Sequence, residues 1–253
     1  MTPVDQTPLT HRRAAPPAWL EQVPLAHRGL HDDERPENSL PAFTAAAAAG
    51  YGVELDVQLS RDGVPVVIHD PVLERVADHT GRVGQYSAEE LRSVRLAGTS
   101  AHVPTLPDAL ARLRDVPVMV EVKQDRLPAG RLERTVAAVL DDHPGPWCVA
   151  SFNPSTVAWF RRHRPGAVRV LTAGPLHDVD LPGPVRRRLA ALTDLRRVAP
   201  HAVSYDLAAL PTGPTDRWRA SDGLLITWTA VGSDGLARAR RLADNVIFEH
   251  VRP

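Results

Sequence analysis

Several short apolar runs carry ionisable side chains at alternate positions. Val53-Glu54-Leu55-Asp56-Val57 holds two carboxylates, and Val118-Met119-Val120-Glu121-Val122-Lys123 holds a carboxylate and an ammonium. A third run ends in His69-Asp70, and a fourth is followed by His27-Arg28-Gly29. If these runs are strands, residues two apart share a face. Glu54 then faces with Asp56 and Glu121 with Lys123, while Val53, Leu55 and Val57 face the other way. Taken singly, each acid fits an ordinary buried ion pair or a solvated strand end. Brought together in an interior they need partners, because desolvated charge is costly. The simplest partner for Glu54, Asp56 and Glu121 is one hard divalent cation bound by oxygen, Mg2+ or Ca2+. Cysteine is absent from the set, which argues against a structural zinc site.

Lys123 and Arg28 are suited to phosphate. Arginine offers a bidentate fork and lysine a compact point charge. Of the thirty Lys and Arg residues, Lys123 is the only lysine, so its chemistry is distinct from the surface arginines. His27 and His69 suit proton transfer, since imidazole titrates near neutrality. One could deprotonate a nucleophile and the other protonate a leaving alkoxide. His31 and His79 lie in loops from which they could reach a ligand. His11, His102, His143, His163, His177 and His201 read as surface or loop residues. Glu37-Asn38-Ser39 precedes an Ala-rich helix, which Asn38 or Ser39 would cap.

These residues need a scaffold. At 253 residues and 43% hydrophobic, the chain can form one barrel or one doubly wound domain. Thirty basic and thirty acidic residues cancel, so no global field attracts nucleic acid, and a small-molecule partner is expected. No run is long enough to span or insert stably into a membrane, and the proline-broken segment before Val23 lacks a signal-peptide core. The cytoplasm is the default address. Residues 1–22 are expected to form a poorly ordered extension to a single domain over 23–253. Cys148, in an apolar run, reads as a buried thiol.

Short β-branched runs alternate with Ala/Leu/Arg-rich stretches of helical spacing, which predicts βα units and a parallel sheet. Strands are expected at Val23-Ala26, Val53-Val57, Pro65-Ile68, Val116-Val122, Trp147-Ser151, Val168-Thr172, Ala202-Tyr205, Leu224-Trp228 and Asn245-Phe248. Longer helices are expected at Ser39-Ala49, Arg131-Asp141, Ser155-His163, Pro184-Arg197 and Asp234-Ala243. Nine strands is one too many for an eight-stranded barrel. The gap from Val57 to Pro65 is too short for a parallel crossover, so Pro65-Ile68 should return antiparallel as a hairpin. It opens an insertion over about residues 58–104. The remaining eight make a (β/α)8 TIM barrel, whose chemistry sits at the carboxyl ends of the strands.

In order along the chain, His27-Arg28-Gly29, Glu37-Asn38-Ser39, Glu54-Leu55-Asp56-Val57, Asp62-Gly63, Val67-Ile68-His69-Asp70, Pro104-Thr105-Leu106, Glu121-Val122-Lys123, Ser151-Phe152 and Trp228-Thr229 resemble the glycerophosphodiester phosphodiesterase family. The resemblance implies a TIM barrel with a small insertion after the second strand. It implies His27 and His69 as acid/base pair, Glu54, Asp56 and Glu121 as ligands of Mg2+ or Ca2+, and Arg28 and Lys123 as phosphate contacts. Phe152 and Trp228 match pocket aromatics. The implied reaction turns a glycerophosphodiester and water into sn-glycerol 3-phosphate and an alcohol. Attack could come from metal-activated water or from a neighbouring glycerol hydroxyl through a cyclic intermediate. Val231 stands where the family often has Asn, and Phe248-Glu249 where it often has Thr-Asp. Both departures are expected to border the pocket and bear on specificity. Two alternatives share the scaffold: a lysophospholipase D acting on lysophospholipids, and a non-catalytic phosphate-ester binding protein.

Overall fold

The computed structural model describes residues 14–96, 98–123, 129–176 and 182–253. Expectations for residues 1–13, His11 and His177 lie outside the described residues.

Eight parallel strands close into a barrel: β1 (Leu25–His27), β2 (Gly52–Leu59), β4 (Val118–Val122), β5 (Trp147–Ser151), β6 (Val168–Ala173), β7 (Ala202–Asp206), β8 (Leu224–Val231) and β9 (Asn245–Glu249). Each pairs with its neighbour, and β1 joins both β2 and β9 to complete the circle. The supernumerary strand β3 (Pro65–Val67) pairs antiparallel with β2, Val57 opposite Val67 and Leu59 opposite Pro65. A turn makes this possible. Ser60 Oγ accepts the Val64 N–H at 2.9 Å and donates to Asp62 at 2.6 Å, while Gly63 takes φ 84°.

Strand alternation divides the core in two. Val53, Leu55, Val57, Val118, Val120 and Val122 pack outward against the helical layer. Leu25, Met119, Cys148, Val170, Ala202, Leu224, Ile226 and Ile247 fill the barrel interior. Cys148 is a free, buried thiol there, kept protonated by burial and by the Glu54 charge. The insertion has its own small core, in which Leu73, Val83, Leu91 and Leu96 pack beneath Val66 and Ile68.

Several helices begin at capping side chains. Ser39 starts α2 (Leu40–Ala48), Ser87 starts α3 (Ala88–Ser93) and Thr105 starts α4 (Leu106–Arg112), each accepting a first-turn N–H. Then come α5 (Arg131–Asp141) and α6 (Pro154–His163). The helix expected over Pro184-Arg197 is two, α7 (Gly183–Ala190) and α8 (Leu195–Val198). Leu192 takes φ 53° between them, and buried Asp194 pairs with Arg188 at 2.9 Å. The barrel closes with α9 (Gly213–Ala220) and α10 (Gly232–Leu242). Among the described residues no helix is long and apolar enough to cross a membrane.

The segment before the barrel differs from expectation where it is described. Ala18–Gln22 form α1, and Leu20 is fully buried against the interior cluster. Pro17 flanks the helix start, where its missing N–H is no loss. The Asn245 side chain fixes this segment by donating to the Leu20 and Val23 carbonyls at 2.8 and 2.9 Å. Leu20→Ala should therefore lower stability by about 3 kcal/mol, seen as a lower urea midpoint at unchanged slope. A change within a few tenths would mean that α1 plugs nothing.

Candidate active site

β1 stops at His27 because the chain turns there. Arg28 (φ 55°) and Gly29 (φ 86°) both take left-handed backbone. A Cβ on Gly29 would lie 2.9 Å from the carbonyl carbon and Cβ of Ala42, so only glycine fits. The turn brings the Arg28 N–H to Glu54 Oε2 at 3.2 Å. Its guanidinium reaches Glu37 Oε1 at 2.8 Å and Asp56 Oδ2 at 3.3 Å.

Strand register assembles the acids. Asp56 is opposite Glu121, and Glu54 is opposite His27. One oxygen from each of Glu54, Asp56 and Glu121 lies within 4.8 Å of the others, and all three residues are buried. Lys123 Nζ stands 2.9 Å from Asp56 Oδ1 and 2.5 Å from Glu121 Oε1. Burial opposes the Asp56 charge, but Lys123, His69, Arg28 and Asn38 hold its carboxyl well below the usual range. Lys123 stays protonated, its desolvation outweighed by Asp56 and Glu121. Glu54 goes the other way. Burial first, then the charges of Asp56 and Glu121, push its carboxyl well above the usual range against Lys123 and Arg28. The cluster is thus short of positive charge at Glu54, and three buried hard oxygen donors fit a divalent cation.

Each histidine leans on a carboxylate through Nδ1. His27 meets Glu249 Oε2 at 2.8 Å, and His69 meets Asp70 Oδ1 at 2.6 Å. In each ring Nε2 is the nitrogen that this contact leaves free of the carboxylate. Burial lowers the His69 pKa, as do Lys123 and Arg28, against Asp56 and Asp70.

Supporting residues not among those expected from the sequence hold these groups. Gln58 continues the Glu54–Asp56 face, and its Nε2 donates to the carbonyls of Ile68, His69 and Asp70 at 3.1, 2.9 and 2.7 Å. Ser39 is the helix cap, and this frees Asn38 for Asp56. Asn38 Nδ2 donates to Asp56 Oδ2 at 2.9 Å, and its Oδ1 accepts the Asp56 N–H at 3.3 Å. Arg75, from the insertion, donates to both Glu37 oxygens at 2.8 Å and to Asp70. Glu37 so links Arg28 to the partner of His69.

Of the expected residues, His27, Arg28, Glu121, Lys123 and Phe152 fall at the carboxyl ends of strands or just beyond and His69 two residues past β3, whereas Glu54 and Asp56 lie within β2 and Trp228 within β8. Phe152 and Trp228 meet edge to face, ring centres 5.4 Å apart, with Lys123 Nζ 5.9 Å from the Phe152 ring centre. The Trp228 indole N–H is buried without a partner among the described residues. His31 Nε2 is 3.4 Å from Glu249 Oε1, whereas His79 packs on Tyr86 in the insertion. His201, expected at the surface or in a loop, is buried and accepts the Arg169 N–H at 3.1 Å. Glu249 contacts His27 directly, which the expectation for that position did not include.

The family model described as the glycerophosphoryl diester phosphodiesterase family matches residues 27–174. The chain belongs to this family. A Mycobacterium tuberculosis protein named "Probable glycerophosphodiester phosphodiesterase 2" is 34% identical over 154 residues, 60% of this chain and 53% of that protein. Bovine and human glycerophosphodiester phosphodiesterase 1 are each 38% identical over 96 residues, 34% of this chain and 29% of theirs. The chain thus spans about half or less of the length of these curated relatives. Among solved structures, an Oleispira antarctica phosphodiesterase in complex with the product sn-glycerol-3-phosphate shares the fold, with TM-score 0.74, at 20% identity over 89% of this chain and 91% of that one.

The Arg75 bridge carries a pH signature. Burial raises the Glu37 and Asp70 pKa values, but Arg75, with Arg28 at Glu37 and His69 at Asp70, lowers them below normal. Depressed carboxylates stabilise above their unfolded pKa and lose that contribution as pH falls through the folded pKa. Arg75 is half exposed, so solvent screening keeps the effect near 1 kcal/mol. Arg75→Ala should therefore be less stable than wild type at pH 7, and urea midpoints should show the gap narrowing below about pH 4. A gap that stays constant or widens in acid would contradict the bridge.

Proposed function

We propose that the protein hydrolyses glycerophosphodiesters to sn-glycerol 3-phosphate and an alcohol, with one divalent cation, Mg2+ or Ca2+, held by Glu54, Asp56 and Glu121. One observation carries this reading. Two carboxylate-backed histidines stand beside a buried acid cluster that also contains an arginine and the single lysine. The sn-glycerol-3-phosphate bound to the Oleispira phosphodiesterase supports the product.

The cation would act as a Lewis acid on phosphoryl oxygen. Arg28 and Lys123 bind the phosphate and stabilise the charge that grows on it. Their carboxylate partners hold both groups charged before substrate arrives. His27 and His69 form the acid/base pair, one taking the proton of the nucleophile and the other supplying one to the leaving alkoxide. Glu249 and Asp70 fix the rings, so that Nε2 of each does the transfer. Phe152 and Trp228 flank the glycerol, and the Trp228 N–H can donate to an oxygen of the ligand. Val231, 52% exposed at the end of β8, and Val185 are the only large exposed apolar side chains among the described residues. A rim so sparse in apolar surface favours water-soluble diesters over lysophospholipids.

Glycerophosphocholine should yield sn-glycerol 3-phosphate in a coupled assay, and chelation of divalent cations should abolish the signal. His27→Ala and His69→Ala should each lower turnover by about 10²- to 10⁴-fold, and Glu54→Gln should lose metal dependence and activity together. Wild-type turnover in these folded variants would refute the assignment. A lysophospholipid turned over faster than glycerophosphocholine would overturn the substrate class. Glu249→Ala should lower kcat about 10- to 100-fold with little change in KM, because it orients a ring without touching substrate; an unchanged kcat would refute that role.

A further inference from the structure

A second group of ligating atoms adjoins the acid cluster. His27, His31 and Glu249 each present one ligand atom, all within 4.8 Å of one another. Glu249 spans the two imidazoles, with Oε2 2.8 Å from His27 Nδ1 and Oε1 3.4 Å from His31 Nε2. His250 Nε2 lies 3.0 Å from the same Oε1, and the His250 ring stands edge-on to His31 with centres 5.1 Å apart. His31 Nε2 is buried, and among the described residues that long approach to Glu249 is its one polar contact. Orienting His27 requires only the carboxylate. The reaction leaves two further imidazoles at that carboxylate without a task.

The donors also differ in kind from the first set. Three carboxylates suit Mg2+ or Ca2+, whereas imidazole nitrogen with one carboxylate suits borderline d-block cations. The side chains of His27, His31 and Glu249 are 18, 14 and 22% exposed, enough for an ion to enter without unfolding the loop. We propose that His27, His31 and Glu249, with His250 at their edge, form a second cation site that takes Zn2+, Co2+ or Ni2+, and that filling it switches hydrolysis off.

The switch rests on the acid/base role of His27 given above. Binding gives the Nδ1 lone pair of His27 to the ion in place of its contact with Glu249. The ring then keeps a single proton, on Nε2. An imidazole bound through Nδ1 and protonated on Nε2 has no lone pair to accept a further proton and is a far weaker acid than imidazolium, so His27 serves neither as base nor as effective acid. No bond of the substrate and no oxidation state changes.

The test uses the folded protein in millimolar Mg2+, which occupies the carboxylate site, and titrates Zn2+ by calorimetry. One equivalent should bind, and Co2+ in its place should give visible absorption of imidazole ligation. His31→Ala should weaken Zn2+ binding at least tenfold. His31→Gln, closer in volume, repeats the test should the alanine variant fold poorly. Glu121→Gln should leave Zn2+ binding in place, which separates the two sites. Absence of Zn2+ binding, or affinity unchanged in the folded His31 variants, would overturn the site. In the activity arm, Zn2+ should inhibit glycerophosphocholine hydrolysis, and His31→Ala should raise the inhibitory concentration by the factor found calorimetrically. Stoichiometric binding without inhibition would overturn the switch. A protein lacking hydrolysis altogether would contradict the proposed function, while the calorimetry would still decide the site.

Discussion

Three carboxylates share one end of the barrel with fewer positive charges than they need. Asp56 is well served: Lys123 and Arg28 face it, and Asn38 binds both its oxygen and its backbone. Glu121 shares the same ammonium. Among the described residues Glu54 has a backbone N–H and no close cation of its own, and burial beside two acids drives its carboxyl towards protonation. A buried cluster so arranged is stable as a binding site before it is stable as packing, since unpaired buried charge is among the costliest features a core can carry. The rest of the site is arranged around that deficit.

Its positioning is mostly backbone work. Alternation along β2 and β4 sends the acids inward and the valines outward, and parallel register sets Asp56 beside Glu121. The histidines come from outside this pair, one at the end of β1 and one beyond the antiparallel strand β3. Each needs its own brace. Glu249 on the last strand holds His27, while Asp70, Arg75 and Gln58 hold His69. Through Glu37 the insertion is tied back to Arg28, so Arg28 and one histidine share a single network of ion pairs.

Much of this is legible from residue order. Period-two spacing told which face each acid takes, and the short gap from Val57 to Pro65 told that one strand must turn back. Spacing could not show contacts between distant segments: Asn38 with Asp56, Arg75 with Glu37, or Glu249 with His27 across 222 positions. Gln58 was within reach, because it extends the alternation of Glu54 and Asp56 by one step. α1 was obscured by Pro16 and Pro17, which break a helix only when they fall inside it. The division of Pro184-Arg197 into α7 and α8 depends on a buried Asp194 that helical spacing alone presents as surface.

The most direct test of the charge argument is a crystal structure grown with Ca2+ or Mg2+ and sn-glycerol 3-phosphate. The account predicts a single ion bound by oxygens of Glu54, Asp56 and Glu121 at about 2.0–2.6 Å, with phosphate against Arg28 and Lys123. A saturating cation found elsewhere, with Glu54 protonated and unligated beside bound phosphate, would contradict it.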